Sequence, residues 1–352
     1  MAKSNTPNPG KEYNALNRRT ERYAALISRI FDMYNLEAAK IAAMTSYSPL
    51  NEKPFKFSDY PQTTELIKEL QKNLASDLKD VIDIGIATEW KNSNDANDVM
   101  TRTILERFGA DADRDKYKKY FDNNKDALDA FMKRKTNGMD LSKRIWNLTG
   151  IYKIEFELAI SVGMEQGISA AQLSRNIRKY LKEPDKLFRR VRDKYGVLQL
   201  SKAAKAYNPG RGIYRSSYKN AMRLARTEIN MAYRKAGNEK AKEEDFIVGF
   251  EIKRSYTYFN CPVCESLKGK YPKDFDWSGW HPQCRCYVVW ILKTKDEFFS
   301  DSPTSVNEVK DVPDNFKKWV QNNEDRLNRA KEKGTSPYWV RDNEGYVNEI
   351  LN

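Results

Sequence analysis

Histidine is almost absent from this chain of 352 residues: there is one, His281. That scarcity argues against catalytic schemes built on several imidazoles, such as a nuclease site with a histidine base beside histidine metal ligands. Cysteine is nearly as scarce, with four residues, and none of them lies outside residues 260–286. Long apolar runs are missing too. The longest, YVVWIL at residues 287–292, is far below the roughly 20 residues that a membrane helix needs. The first ten residues, MAKSNTPNPG, hold no apolar stretch of the kind that marks a secretory leader. No GxxxxGK motif followed by Ser or Thr occurs, so no P-loop nucleotide site is expected, and PGRGIYR reads as a turn. A reducing cytoplasm is the expected place of synthesis, where four clustered cysteines favour a metal over disulfides.

What is present is charge and enough apolar residues for a core. Hydrophobic residues make up 40% and charged ones 32%, with a net charge of +13. At roughly 100–200 residues per domain, the length implies two or three domains. The positive charge is uneven. Residues 186–226 hold twelve Lys and Arg against a single acid, Asp193. Such a stripe can neutralise phosphates with a salt-sensitive affinity. Arg189, Arg190, Arg192, Arg211 and Arg215 are its candidate contacts to nucleic acid or to an acidic partner. The plain alternative is a solvated face. No helix-turn-helix or RNA-binding signature accompanies the stripe, so base-specific readout is not expected.

The first half reads as helix. Tyr23, Leu26, Ile27, Ile30 and Tyr34 recur at three- and four-residue steps, and so do Ile67, Leu70, Leu74, Leu78 and Val81. Three prolines in residues 49–61 separate these stretches, and the polar run KNSNDAND predicts a break before a further helix at residues 103–108. Helices are also predicted at 114–134 and 141–162, although IEFELAISV at 154–162 alternates as a strand would. Ser169 with Gln172 forms a capping box, and Ile168 with Leu173 a hydrophobic staple, at the start of another helix. From SSYKNAM onward one long helix is predicted, with Ala221, Ala225, Ile229, Ala232 and Ala236 as a small-residue stripe. The period then changes. Residues 246–259 and 286–294 are the two strand candidates, joined by the cysteine window. The polar tail holds one helix signal, in which Phe316, Trp319, Val320 and Leu327 suit docking on a larger body.

Cys261 and Cys264 form a CxxC pair, and His281, Cys284 and Cys286 follow after a 16-residue gap. Zinc takes four nitrogen or sulfur ligands tetrahedrally, so this spacing predicts one Zn²⁺ per chain. Buried thiols with no metal would be expected to scatter over the helices instead. Five candidates compete for four places, with Cys261 and His281 as the doubtful pair. Arg285, between two thiolates, can offset their charge. Phe275, Trp277 and Trp280 are expected to pack over the site. A closed set of four ligands is structural, because no coordination position remains open. An enzyme is therefore not expected, and a Cys–His nucleophile is less economical than a metal cage. Glu228 is the carboxylate to inspect for any carboxylate chemistry; mid-helix, it is expected to pair with an arginine or a backbone group.

ARTEINMAYRKA, then a strand, then CPVCESLKGK and GWHPQCRC, resembles the phage Mu F-like head morphogenesis family. Arg226, Thr227 and Glu228 match its helix motif. Cys261, Cys264, Leu267 and Gly269 match its central pair, and His281, Pro282, Cys284, Arg285 and Cys286 its close. Where many members carry an acid before the pair, this chain has SYTYFN. Residues 167–294 carry the resemblance, and the tail is similar to tails of phage-borne proteins from gut Bacteroidales. It implies a minor head protein of a tailed phage or prophage, located in the virion. Portal, capsid or scaffold proteins are the implied partners, with phage DNA as a further one and no membrane or small-molecule substrate. It also implies Cys264, His281, Cys284 and Cys286 as the shared tetrad, with Cys261 extra. The two rivals are a nucleic-acid-binding zinc protein and a toxin-like nuclease or peptidase. The expected architecture is mainly α: a helical region at 1–165, a zinc-stabilised α+β domain at 166–300 with a hairpin-like strand pair and its knuckle at 260–286, and a tail at 301–352.

Overall fold

The structure is a computed structural model that describes residues 8–44, 55–110, 117–165, 172, 189–192, 194–200, 214, 216–255 and 261–352. Its long helices are α1 (Pro9–Met44), α2 (Pro61–Phe108), α4 (Leu141–Glu165) and α5 (Ser217–Glu243), with the shorter α3 at Lys125–Lys133. Strands β1 (Arg189–Arg192) and β2 (Leu198–Leu200) pair antiparallel. After α5 come β3 (Ile247–Lys253), α6 (Pro262–Ser266), β4 (Gly269–Tyr271) and β5 (Tyr287–Leu292). Five short helices follow: α7 (Lys295–Phe299), α8 (Asp314–Asn322), α9 (Glu324–Glu332), α10 (Tyr338–Asp342) and α11 (Glu344–Leu351). The fold is thus mainly helical with a small sheet near the C-terminus, as the sequence predicts. No described helix is long and apolar enough to cross a membrane.

The chain forms two compact units, each assembled from separate stretches: residues 1–21, 83–138 and 226–352 in one, and 22–82 and 139–225 in the other. The second unit is helical with the β1–β2 pair. Its core holds Ile27, Phe31, Leu74, Leu78, Tyr152 and Phe156, all nearly inaccessible. Phe31 meets Tyr152 edge-on at 5.7 Å, and Phe57 stacks on Phe156 at 5.9 Å. Each such side chain gains about 1.5–3 kcal/mol from burial. The Tyr152 hydroxyl donates to Asn35 Oδ1 at 2.9 Å, which satisfies a polar tip in an apolar setting. At the start of α5 the Glu155 carboxylate accepts the Ser217 backbone N–H at 2.8 Å, a charge placed on a helix N-terminus.

The first unit is built on a three-stranded antiparallel sheet of order β4-β3-β5. Phe250 lies opposite Tyr271 on one side and Trp290 on the other. The expected pair, β3 and β5, are neighbours. The third strand, β4, has no signal in the sequence, because GKY is too short to show a period. Two further expectations are corrected. KNSNDAND does not break α2, which runs unbroken from Pro61 to Phe108. Two of its polar residues, Ser93 and Asn94, are buried: the Asn94 amide donates to Asn123 O at 3.0 Å, and Ser93, with the half-buried Asn97, faces Gly237 of α5. The helix stops at Gly109, φ +78°, where Gly109 N–H bonds Glu106 O and Ala110 N–H bonds Leu105 O, a Schellman close. The helix expected at 114–134 is a 3₁₀ turn at Lys118–Phe121 followed by α3, with Asn124 left-handed (φ 49°) between them. Residues 154–162 are helical throughout and not a strand.

The tail carries four helices, α8 to α11, where the sequence predicts one. Phe316, Val320 and Leu327 are buried and Trp319 partly so, all in one core cluster with Tyr271, Phe275, Trp280 and Trp339. Trp339 meets Trp280 at 5.3 Å and Phe316 at 5.7 Å. The small-residue stripe of α5 is buried as expected. Of the helix start at residues 168–173, only Gln172 is among the described residues.

Candidate metal centre

Four thiols and one imidazole converge at the edge of this aromatic core. Cys261 precedes α6 and Cys264 lies within it, so one short helical turn presents both sulfurs to the same side. Cys284 and Cys286 lie in the extended segment just before β5. Cys264, Cys284 and Cys286 are buried, and Cys261 is intermediate. The donors form two overlapping groups, Cys261–Cys264–His281 and Cys264–Cys284–Cys286, with the ligand atoms of each group within 4.8 Å of one another. Either arrangement can hold a metal. The Cys264 and Cys284 sulfurs are 3.8 Å apart. A tetrahedral ion with metal–sulfur bonds of about 2.3 Å sets its sulfurs about 3.8 Å apart, so this edge already fits.

His281 is held ready as a ligand. Its Nδ1 lies 2.9 Å from Pro282 O, a carbonyl that can only accept, so Nδ1 carries the proton. Nε2 is then the acceptor, its lone pair turned to Cys264 Sγ at 3.1 Å and Cys261 Sγ at 3.3 Å. The bond to Pro282 O fixes tautomer and ring orientation together.

The electrostatics describe thiols crowded for a cation. Burial opposes ionisation of Cys284, yet hydrogen bonds from Cys264 and Cys286 and the charge of Arg234 outweigh it, and the thiol lies well below its ordinary value. Cys264 is pushed far up because its proton is shared with Cys284 and Cys286. A bound metal would deprotonate all its ligands.

Arg234, on α5, carries no mark in the sequence that separates it from other cations. It is 3% exposed. Its Nη1 donates to Ser278 O at 3.1 Å, and its Nη2 to Cys284 O and, at 3.0 Å, Cys286 O. The guanidinium lies 4.9 Å from the centre of the Trp277 ring. Gly279 (φ +128°) permits this approach, since a Cβ there would lie 2.7 Å from Arg234 Nη1. One turn on, the Asn238 amide donates to Trp277 O at 2.7 Å. The signal that could have found Arg234 is the run Thr227, Met231, Arg234 and Asn238 at helical spacing. All four are buried, but the run reads as a solvated face because three of its members are polar.

Arg285, between Cys284 and Cys286 in the chain, lines the cleft beside the thiols. It turns to Glu21 at 3.4 Å and is 40% exposed. Glu21 also pairs with Arg226 at 2.7 Å, so one carboxylate joins Arg226 to Arg285. Thr227 is buried. Glu228 is 2% exposed and pairs with Arg134, whose guanidinium stacks 3.4 Å from the Phe131 ring centre and donates to Phe131 O at 2.6 Å. Phe275, Trp277 and Trp280 are buried in the core, as expected of residues that pack on the site.

A cleft of about 270 Å³ opens beside the cluster, lined by Cys261, Cys264, His281 and Cys286 together with Arg254 and Arg285. Arg254 is paired with Glu265 of α6, and that hydrogen bond raises its pKa. Of the basic stripe, Arg189, Arg190 and Arg192 form strand β1, while Arg211 and Arg215 lie outside the described residues. No family model, no curated protein and no solved structure matches the chain.

Proposed function

We propose that this chain is a minor head protein of a tailed phage or prophage, acting in head assembly at or near the portal, and that its knuckle binds one structural Zn²⁺. The observation that carries the reading is the placement of the Cys/His cluster. It sits on an aromatic core shared with α8 and α10, and the helix bearing Arg226-Thr227-Glu228 grips it through Arg234. The motif residues Arg226 to Glu228, Cys261 to Gly269 and His281 to Cys286 all belong to one compact unit.

The zinc ligands we assign are Cys264, Cys284, Cys286 and His281. This is the tetrad that the resemblance implies; in support, Cys264, Cys284 and Cys286 are buried together, and His281 Nε2 faces Cys264, the thiol common to both groups of donors. Four such donors close the coordination sphere, which supports a structural metal over a catalytic one. Engagement of the lone histidine and of Glu228 supports the same side. The ion contributes folding free energy to a segment with little regular structure between β4 and β5.

The partners are portal, scaffold or capsid proteins, with packaged DNA approached by the basic stretch at 186–226. The test is co-expression with the portal and capsid proteins of a tailed phage whose genome encodes this chain, followed by sedimentation of proheads. A few copies per particle, lost when Cys284 is replaced by Ser, are expected. Proheads that assemble normally and contain none of this chain would overturn the assignment.

A further inference from the structure

Zn²⁺ with three thiolates and a neutral imidazole carries a net charge of −1, here set against an apolar core. An unbalanced buried charge is costly, so a counter-charge or a set of dipoles must face it. Arg285 and Arg254 line the open cleft beside the thiols, where Arg285 shares Glu21 with Arg226 and Arg254 shares Glu265 with Lys268. Among the described residues, Arg234 is the buried cation that has no carboxylate among its hydrogen-bond partners: it donates to carbonyl oxygens of Ser278, Cys284 and Cys286. Two of those carbonyls belong to the ligand residues themselves.

We infer that Arg234 is the positioning residue of the metal centre, supplying the buried positive charge that offsets the thiolates and holding the Cys284 and Cys286 backbone in ligating geometry. This rests on the zinc reading above. The geometry gives it two separable roles. Its fork fixes the loop, as the Asn238 amide also does through Trp277 O, 2.7 Å away. Its charge acts on the sulfurs, which Asn238 cannot do. Removing a group that supports metal ligands from behind lowers affinity roughly 10–100-fold.

The experiment measures zinc affinity by competition with a chromophoric chelator at fixed pH, and the charge-transfer bands of the cobalt-substituted full chain. It compares the wild type with Arg234→Met, Arg234→Lys and Asn238→Ala. Arg234→Met is expected to weaken binding by roughly 10–100-fold. Arg234→Lys should regain part of that loss because the charge returns without the fork. Asn238→Ala, which loosens the loop but removes no charge, should weaken binding less than Arg234→Met. If Arg234→Met does not fold, Arg234→Lys alone decides: a weakened but metal-loaded protein with shifted cobalt bands supports the assignment. Wild-type affinity in Arg234→Met, or in Arg234→Lys together with unshifted bands, overturns it. So does an Asn238→Ala loss as large as that of Arg234→Met. A wild-type chain that binds no zinc would overturn the metal reading as well, which separates the two failures.

Discussion

Glu244 follows α5 directly and is wholly buried. Thr101 donates a short hydrogen bond to its Oε1, and Oε2 has no partner. Lys240, one turn earlier and equally buried, is committed to Asp98 and to Tyr120 O at 2.9 Å. Burial pushes the Glu244 carboxyl up to about 8, against the hydrogen bond from Thr101 and the charge of Lys240. The sign follows from linkage. An unfolded glutamate ionises near 4.5 and the folded one near 8, so the stability of the protonated form is fully present below the unfolded pKa. It falls as pH rises, by about 1.4 kcal/mol per pH unit, until the folded pKa is passed. At pH 7 the loss is about 3 kcal/mol. Glu244→Gln removes the titration, keeps an acceptor for Thr101 and leaves an unpaired amide that costs about 1–2 kcal/mol. The variant should therefore gain on the wild type by about 3 kcal/mol between pH 5.5 and 7.5, and be the more stable protein at the upper end. Urea unfolding followed by tryptophan fluorescence is the assay. It reports mainly the unit that holds Glu244, since of the seven tryptophans only Trp146 lies in the other. Both proteins carry the same Cys/His cluster, so any metal release cancels in the difference. A difference that stays flat over this pH range would refute the reasoning: the carboxylate would then be ionised in the folded state and paired with Lys240.

Replacing Cys284 or Cys286 by Ser should abolish bound zinc, whereas Cys261→Ser should retain about one equivalent, as counted by elemental mass spectrometry. Gly279→Ala should destabilise the protein by at least about 2 kcal/mol in the same urea assay, because its backbone is left-handed and its Cβ would collide with Arg234. Phe316→Ala should cost about 3–5 kcal/mol, and a cost below about 1 kcal/mol would refute the placement of α8 in the core. For DNA, neutralising Arg189, Arg190 and Arg192 together should lower the salt slope of binding, as measured by fluorescence anisotropy, by about 0.9 for each phosphate that is no longer neutralised.

Much of the architecture can be read directly from spacing. The stripe of α5, the strands β3 and β5 and the five metal-ligand candidates all follow from residue type and interval. The residues that escape such a reading share one physical cause, which is polarity placed inside. Ser93 and Asn94 look like a loop and are buried in a helix, where Asn123 O receives the Asn94 amide and the half-buried Asn97 amide donates to Ser93. Arg234 looks like one of many surface cations and is buried because carbonyls receive it. The tail is obscure for another reason. Its helices have five to nine residues, too few to show a period, and their apolar residues acquire meaning only against Tyr271 and Trp280.

The assembly of one compact unit from three distant stretches has a consequence for the time at which this protein can fold. Tyr13 packs against Tyr233 at 5.7 Å and Tyr287 at 5.8 Å, and Glu21 waits for Arg285, 264 residues later. During synthesis the first helix leaves the ribosome with none of these partners made. It can complete its packing only after nearly the whole sequence has emerged, so this unit closes late and at the expense of long loops. Until then the thiols and tryptophans of residues 260–290 have no finished core to enter. Zinc supplied at that moment would shorten the exposed interval by joining both sides of the knuckle at once.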